Sequence, residues 1–205
     1  MARRYEAYAP PHMDGATLSL VLERLAEDIH EPEFVAYSPL VRFEAYLSRQ
    51  RMSGWLRLDA QRLTDLLNAH EVIHLANVTI EDHGDGRSVS ADEALLRRSE
   101  IRATLASGPR GDPAHRLTTS RHPVVVDSGV YRIGGYVHVA PGMEPGDRFQ
   151  LGDPMVPLTE AWLEYGYGAR RRRHEAVTVI VNRLLATRIE VRAEPVVPSS
   201  RPPHP

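Results

Sequence analysis

The chain contains no cysteine. That removes disulfides, thiolate metal sites and cysteine nucleophiles, and leaves any metal to histidine and carboxylate ligands. It contains no lysine either: all 25 of its Lys+Arg residues are arginine. Schiff-base chemistry and a P-loop lysine are therefore excluded. A GC-rich genome accounts for this arginine use more simply than a recognition role does. No apolar run approaches the length that spans a bilayer, and the start Met-Ala-Arg-Arg-Tyr leads into no apolar signal core, so the expected location is the cytoplasm. Glycine-rich nucleotide loops and a nucleophile elbow are missing. The formal net charge is −2, which gives the whole chain no general attraction for nucleic acid.

What is present suffices for one medium domain or two small ones: 205 residues, 42% of them apolar. Residues 1–16 are polar with Pro10-Pro11 and read as a flexible tail. Leu18, Val21, Leu22, Leu25 and Ile29 then recur at helical spacing, with Asp14 or Thr17 as cap and Pro32 as stop. An amphipathic helix of this kind must cover an apolar surface, most simply on the first β unit, or serve a partner. Residues 17–106 read as this helix plus a first β unit, 107–120 as a Gly/Pro-broken linker, and 121–193 as a second β unit. Residues 194–205 form a proline-rich tail expected to be disordered.

The two β units share a pattern. Met52-Ser-Gly-Trp-Leu-Arg-Leu58 aligns with Ile133-Gly-Gly-Tyr-Val-His-Val139, and Ile73–Glu81 aligns with Val156–Glu164. In both later segments the apolar alternation slips by one residue, from Ile73 and Leu75 to Val78 and Ile80, and from Val156 and Leu158 to Ala161 and Leu163. Such a slip is the trace of a β-bulge, which bends a strand in small closed barrels. A third match lays Ser99–Ala103 over Asn182–Ala186. Each unit therefore reads as a five-stranded, strongly bent antiparallel sheet.

Two resemblances follow from these segments. The second unit resembles an uncharacterised bacterial family through Arg132-Ile-Gly-Gly-Tyr-Val-His-Val-Ala-Pro-Gly142, Pro157-Leu-Thr-Glu-Ala161 and Val181-Asn-Arg183, a likeness that implies no activity. Both units resemble Sm-like barrels, with an N-terminal helix, five bent strands and a short turn before the last. This likeness implies assembly through edge strands and, in some members, RNA binding. The chain departs from the Sm pattern at the RNA-reading loops, where Leu63 stands four residues after Asp59 and the last turns carry Arg98-Ser99 and Asn182-Arg183.

One catalytic signature stands out. His70-Glu71-Val-Ile-His74 matches the zinc-hydrolase pattern, in which two histidines one helical turn apart hold the metal and Glu71 activates its water. Arg62–Ala69 could supply the helix, and His83 or Glu93 the third ligand. Against this, the aligned stretch Asp153-Pro-Met-Val-Pro157 holds two prolines that a helix interior excludes. A shared fold makes Ile73–Ile80 a strand, with no catalytic residue and no cofactor. Zinc at His70, His74 and His83 remains the alternative.

Arg170, Arg171, Arg172 and Arg173 form the one concentrated basic run and are the candidate contact for nucleic acid or another anion. Glu160 and Glu164 offset them, and a solvated loop is the simpler account. Trp55, Tyr136 and Trp162 are the candidate interaction surface, suited to stacking or to cross-strand packing. Glu81-Asp82-His83-Gly-Asp85 reads as an acidic turn more readily than as a cation loop, and Arg57 and His138 share a repeat position on the outer face. The expectation is a mainly β protein of two tandem Sm-like units acting as a non-enzymatic interaction or assembly module. Its partners would be a homo-oligomer or a protein complex, with a zinc hydrolase and an RNA-binding protein as alternatives.

Overall fold

The computed structural model describes residues 38–109, 118–167 and 170–192. The expected N-terminal helix, both tails and most of the linker lie outside these residues. The protein is mainly β. Its strands are β1 (Leu40–Tyr46), β2 (Gln50–Arg57), β3 (Val72–Asp82), β4 (Ser88–Arg97), β5 (Ala103–Leu105), β6 (Ser120–Ser128), β7 (Tyr131–Val139), β8 (Met155–Tyr167), β9 (Arg170–Asn182) and β10 (Arg188–Val191). Two short helices interrupt them, α1 (Leu63–Ala69) before β3 and α2 (Pro145–Gln150) before β8. Among the described residues no helix is long and apolar enough to cross a membrane.

Alternation explains the strands. In β1, Val41, Phe43 and Ala45 are buried while Leu40 and Arg42 are exposed, the period of two that places one face on a core. In β7, Ile133, Val137 and Val139 are buried in the same way. The slips read from the sequence are real irregularities. The β2–β3 register steps from Ser53↔Thr79 to Trp55↔Ala76, and the β7–β8 register from Gly134↔Trp162 to Tyr136↔Thr159. Glycine relieves a close approach beside each: a Cβ on Gly54 would lie 3.0 Å from the Ala76 carbonyl oxygen, and one on Gly135 2.9 Å from that of Thr159.

The helices are anchored by arginines from distant turns. Leu63, Leu66 and Leu67 bury the inner face of α1, and the Arg98 guanidinium donates to the carbonyls of Leu67 and Asn68 at its C-terminal end (3.3 and 2.8 Å). α2 starts with Pro145, which loses no helical hydrogen bond there. The Arg183 guanidinium donates to the Phe149 and Gln150 carbonyls at its far end (3.0 and 3.1 Å). Both arginines open single 3-10 turns, Arg98–Glu100 and Arg183–Leu185.

The sequence suggested two separate sheets; the ten strands instead form one antiparallel sheet in the order β10-β6-β7-β8-β9-β5-β1-β2-β3-β4. The bridging element is β5. Although only three residues long, it pairs with β1 on one side and β9 on the other. Two apolar clusters lie along the sheet and exchange residues. Met155 and Ile180 pack with the cluster around Phe43, Met52 and Leu75, while Tyr46 and Ala103 pack with the one around Val126, Ile133 and Val181. The seam is therefore packed as well as hydrogen-bonded.

Candidate functional site

At the seam, Ala103↔Val181, Thr104↔Ile180 and Leu105↔Val179 are opposed. Flanking hydrogen bonds run from Asn182 N–H to the Arg102 carbonyl (2.9 Å) and from Ala106 N–H to the Thr178 carbonyl (3.0 Å). Bonded pairs in an antiparallel ladder fall at every second residue, so Thr104 and Ile180 turn their backbone groups towards each other. The opposite side of Ile180 agrees, because its partner there is Pro157, which has no N–H to offer. The Thr104 hydroxyl, fully buried, donates to the Glu44 carbonyl at 2.7 Å.

A ring cluster reinforces the seam, bringing the ends of β1 and β3 against residues of β7, β8 and β9. Tyr46 and His83 come from one side of it, and Tyr131, Tyr165 and His174 from the other. Tyr46 meets Tyr131 edge-on at 5.7 Å and Tyr165 at 5.6 Å, His83 lies 4.5 Å from Tyr165, and Tyr165 stacks on His174 at 5.8 Å. Such contacts add about 0.5–1.5 kcal/mol each beyond the area they bury. His83 Nε2 and the Tyr131 hydroxyl are 2.9 Å apart. The Tyr46 hydroxyl donates to Glu44 at 2.7 Å; burial, then that bond, pushes the phenol far above its ordinary range.

Charges continue the link. Arg51 pairs with Glu81 at 2.6 Å and Glu44 at 3.5 Å, and Arg172 reaches across to Glu81 at 3.2 Å. Burial acts to raise the Glu81 carboxyl, but the charge of Arg51 and the hydrogen bonds from Arg172 and Arg51 outweigh it, and its pKa falls below the ordinary value. Burial also holds His83 below the ordinary histidine value, with Arg51 and Arg172 adding to that and Glu81 and Asp82 opposing it. At the start of β8, Asn68 of α1 donates to the Met155 carbonyl at 3.0 Å and accepts from the Met155 N–H at 2.9 Å. Its amide thus stands in for a strand residue.

The two ends of the strand order are β4 and β10. Neither has a partner on its outer side among the described residues. Unpaired strand edges are templates for another strand.

The other sequence candidates are dispersed. α1 ends at Ala69, His70 caps it, Glu71 lies in the following turn, and Val72 begins β3. The helical turn that would pair His70 with His74 is therefore not formed. His70 instead faces Asp59 at 3.9 Å and His74 faces Glu93 at 3.5 Å, all four exposed. His83 belongs to the seam at the other end of β3. Among the described residues no group of three or more His, Asp or Glu side chains is arranged to hold a metal ion. The acidic turn is closed on itself, with the Asp82 carboxylate accepting from the Gly84 N–H at 2.7 Å and that of Asp85 from the Arg87 N–H at 2.9 Å.

The arginine run belongs to β9, not to a loop. Arg171 pairs with Glu164 at 2.9 Å, Arg172 with Glu81, and Arg173 lies 4.5 Å over the Trp162 ring and 3.8 Å from Glu175; the side chain of Arg170 is not among those described. Of the three candidate surface rings, Trp55 is exposed at 45%, Tyr136 is half-buried beneath Arg121 at 4.7 Å, and Trp162 is buried. Trp162 is thus a packing residue, held over Gly134. The seam residues Tyr46, Tyr131, Tyr165, Glu44 and Arg51 were not singled out from the sequence. They meet from five chain positions with no common spacing, and only the strand order brings them together.

Compared with protein-family models, curated proteins and solved structures, the chain shows no match to any of them.

Proposed function

We propose that the protein is a non-enzymatic assembly module made of two related five-stranded units, β1–β5 and β6–β10, that polymerises head to tail through the outer edges β4 and β10. The observation that carries this reading is the β5–β9 seam. Each set of five runs fifth-first-second-third-fourth across the sheet, and the two sets join by pairing the fifth strand of one with the fourth strand of the other. The edges left over are again a fourth strand and a fifth strand.

The seam also supplies a register. The pair Val72↔Arg97 corresponds to Met155↔Asn182, and Ala45↔Thr104 to Val126↔Ile189. Repeating Thr104↔Ile180 between chains therefore sets Ile189 of one copy against Leu95 of the next, with Arg188 against Leu96 and Glu190 against Ala94. In this register the backbone N–H groups of Leu95 and Ile189 point outward, as those of Ile180 and Thr104 do at the seam. A contact between unlike edges is heterologous, so it closes into a ring if the rotation allows and otherwise continues as a filament. Strand addition of this kind draws its affinity from main-chain hydrogen bonds.

Light scattering after size exclusion tests the reading. The wild-type chain is expected to elute as a higher oligomer, and Leu95→Pro, which removes one outward N–H without removing a β3–β4 bond, as a monomer with an unchanged far-ultraviolet spectrum. A wild-type protein that stays monomeric at high concentration, or a Leu95→Pro variant that still assembles, would contradict it.

A further inference from the structure

The outer face of β1–β3 carries an open groove whose counterpart on β6–β8 is filled. The registers Leu40↔Arg57 and Trp55↔Ala76 correspond to Arg121↔His138 and Tyr136↔Thr159. At the second location Arg121 lies over the Tyr136 ring and is tethered by Glu160 at 2.6 Å, while His138 Nε2 and the Thr159 hydroxyl meet at 2.8 Å. At the first, Leu40 replaces Arg121, Asn77 replaces Glu160 and Ala76 replaces Thr159. An aliphatic side chain brings no cation to the ring, and alanine leaves the floor low. What results is a groove of about 400 Å³ whose walls include Leu40, Trp55, Val72 and Ile73, with polar lining from Arg57, Asp59, His70 and His74. Leu40, Trp55 and Val72 are 62%, 45% and 48% exposed, an unusual concentration of large apolar side chains on one face.

We propose that the occupant is the chain's own segment Leu18–Ile29, which lies outside the described residues. Three observations select it. Leu18, Val21, Leu22, Leu25 and Ile29 form one apolar stripe at helical spacing, which needs an apolar surface to cover. The segment leads into the sheet at Leu40, itself a groove wall. The intervening residues from Ile29, extended at about 3.3 Å each, reach far enough to fold back across the face.

The second location supplies the contrast. The residues leading into β6, Ser107-Gly-Pro-Arg-Gly-Asp-Pro-Ala-His-Arg-Leu-Thr-Thr119, carry no such stripe, and there the aromatic ring is covered by Arg121. An open groove thus occurs where an apolar segment precedes the first strand, and a covered ring where none does. This assignment is independent of the edge pairing, since the groove lies on the face of the sheet.

The test uses the full-length chain labelled with 5-fluorotryptophan, whose two fluorine resonances are assigned by Trp55→Phe. The Trp55 resonance is expected to show little solvent isotope shift in the wild type and a several-fold larger one in Leu22→Ser/Leu25→Ser, with the Trp162 resonance unmoved. In the cysteine-free background, the pair Leu25→Cys/Val72→Cys is expected to close a disulfide within one chain. A Trp55 resonance equally open to solvent in both proteins would overturn the proposal, as would a disulfide that forms only between chains and in proportion to concentration, which would assign the groove to a second copy.

Discussion

Asn77 and Glu160 are the two non-glycine residues with positive φ among those described, at 50° and 48°, and each lies at the register step of its strand, one residue past the partner of an aromatic ring. The left-handed conformation is what lets β3 and β8 absorb an extra residue and bend. Asparagine tolerates it; a β-branched side chain does not. Asn77→Val is therefore expected to lower unfolding free energy by about 1–2 kcal/mol. Thr79→Val, two residues away in ordinary strand geometry, should cost less than about 0.5 kcal/mol. Urea denaturation with matched m-values checks the pair, and equal losses would show that the bulge bears no strain.

Gly134 lies under the Trp162 ring, where an added Cβ would come within 2.4 Å of an indole carbon. Trp162 also packs against the Arg173 guanidinium, 4.5 Å from its ring, which limits its room to retreat. Gly134→Ala is expected to cost about 1–3 kcal/mol by overpacking. It should also shift the Trp162 emission towards that of exposed indole. Unchanged stability and emission would mean that the ring moves aside freely.

Asn68 makes two hydrogen bonds from α1 to the backbone of Met155. Asn68→Ala leaves a partly buried carbonyl and N–H without these partners and is expected to destabilise by about 1–3 kcal/mol. Asn68→Asp, keeping one acceptor but losing the donor, should fall between. Thermal unfolding of the three proteins gives the order directly.

His83 makes the seam sensitive to acid. Its folded pKa lies below the ordinary 6.5 because burial disfavours the cation. Above pH 6.5 folded and unfolded states are both neutral at this residue. As pH falls below 6.5 the unfolded chain takes up the proton first, so stability declines through the window down to the depressed folded value. His83→Gln is expected to flatten this part of the stability profile, measured by urea unfolding at closely spaced pH values. An unchanged slope would remove His83 from the account.

The sequence disclosed local features better than it disclosed their assembly. Both bulges were readable because a one-residue slip in alternation is a local pattern, and the short helix Leu63–Ala69 falls within the Arg62–Ala69 stretch that could supply one. The match of Ser99–Ala103 with Asn182–Ala186 was two residues out of step with the turns, which set Arg98 beside Arg183; their placement depends on reaching the ends of α1 and α2, a contact that no alternation encodes. The joining of the strands into one sheet was hidden for the same reason. Thr104 and Ile180 are 76 positions apart, and three residues of β5 carry too little pattern to announce a second neighbour. His70 and His74 drew attention through a motif whose chemistry needs a helix, and the helix stops one residue before it begins.

The most direct test of the edge-pairing account mixes two single-cysteine variants of this cysteine-free chain, Leu95→Cys and Ile189→Cys, under mild oxidation. Facing residues in a bonded antiparallel pair have Cα atoms about 5.5 Å apart, within disulfide reach. The account predicts a covalent dimer in the mixture and none in either variant alone. A mixture that yields no more dimer than the separate variants would contradict it.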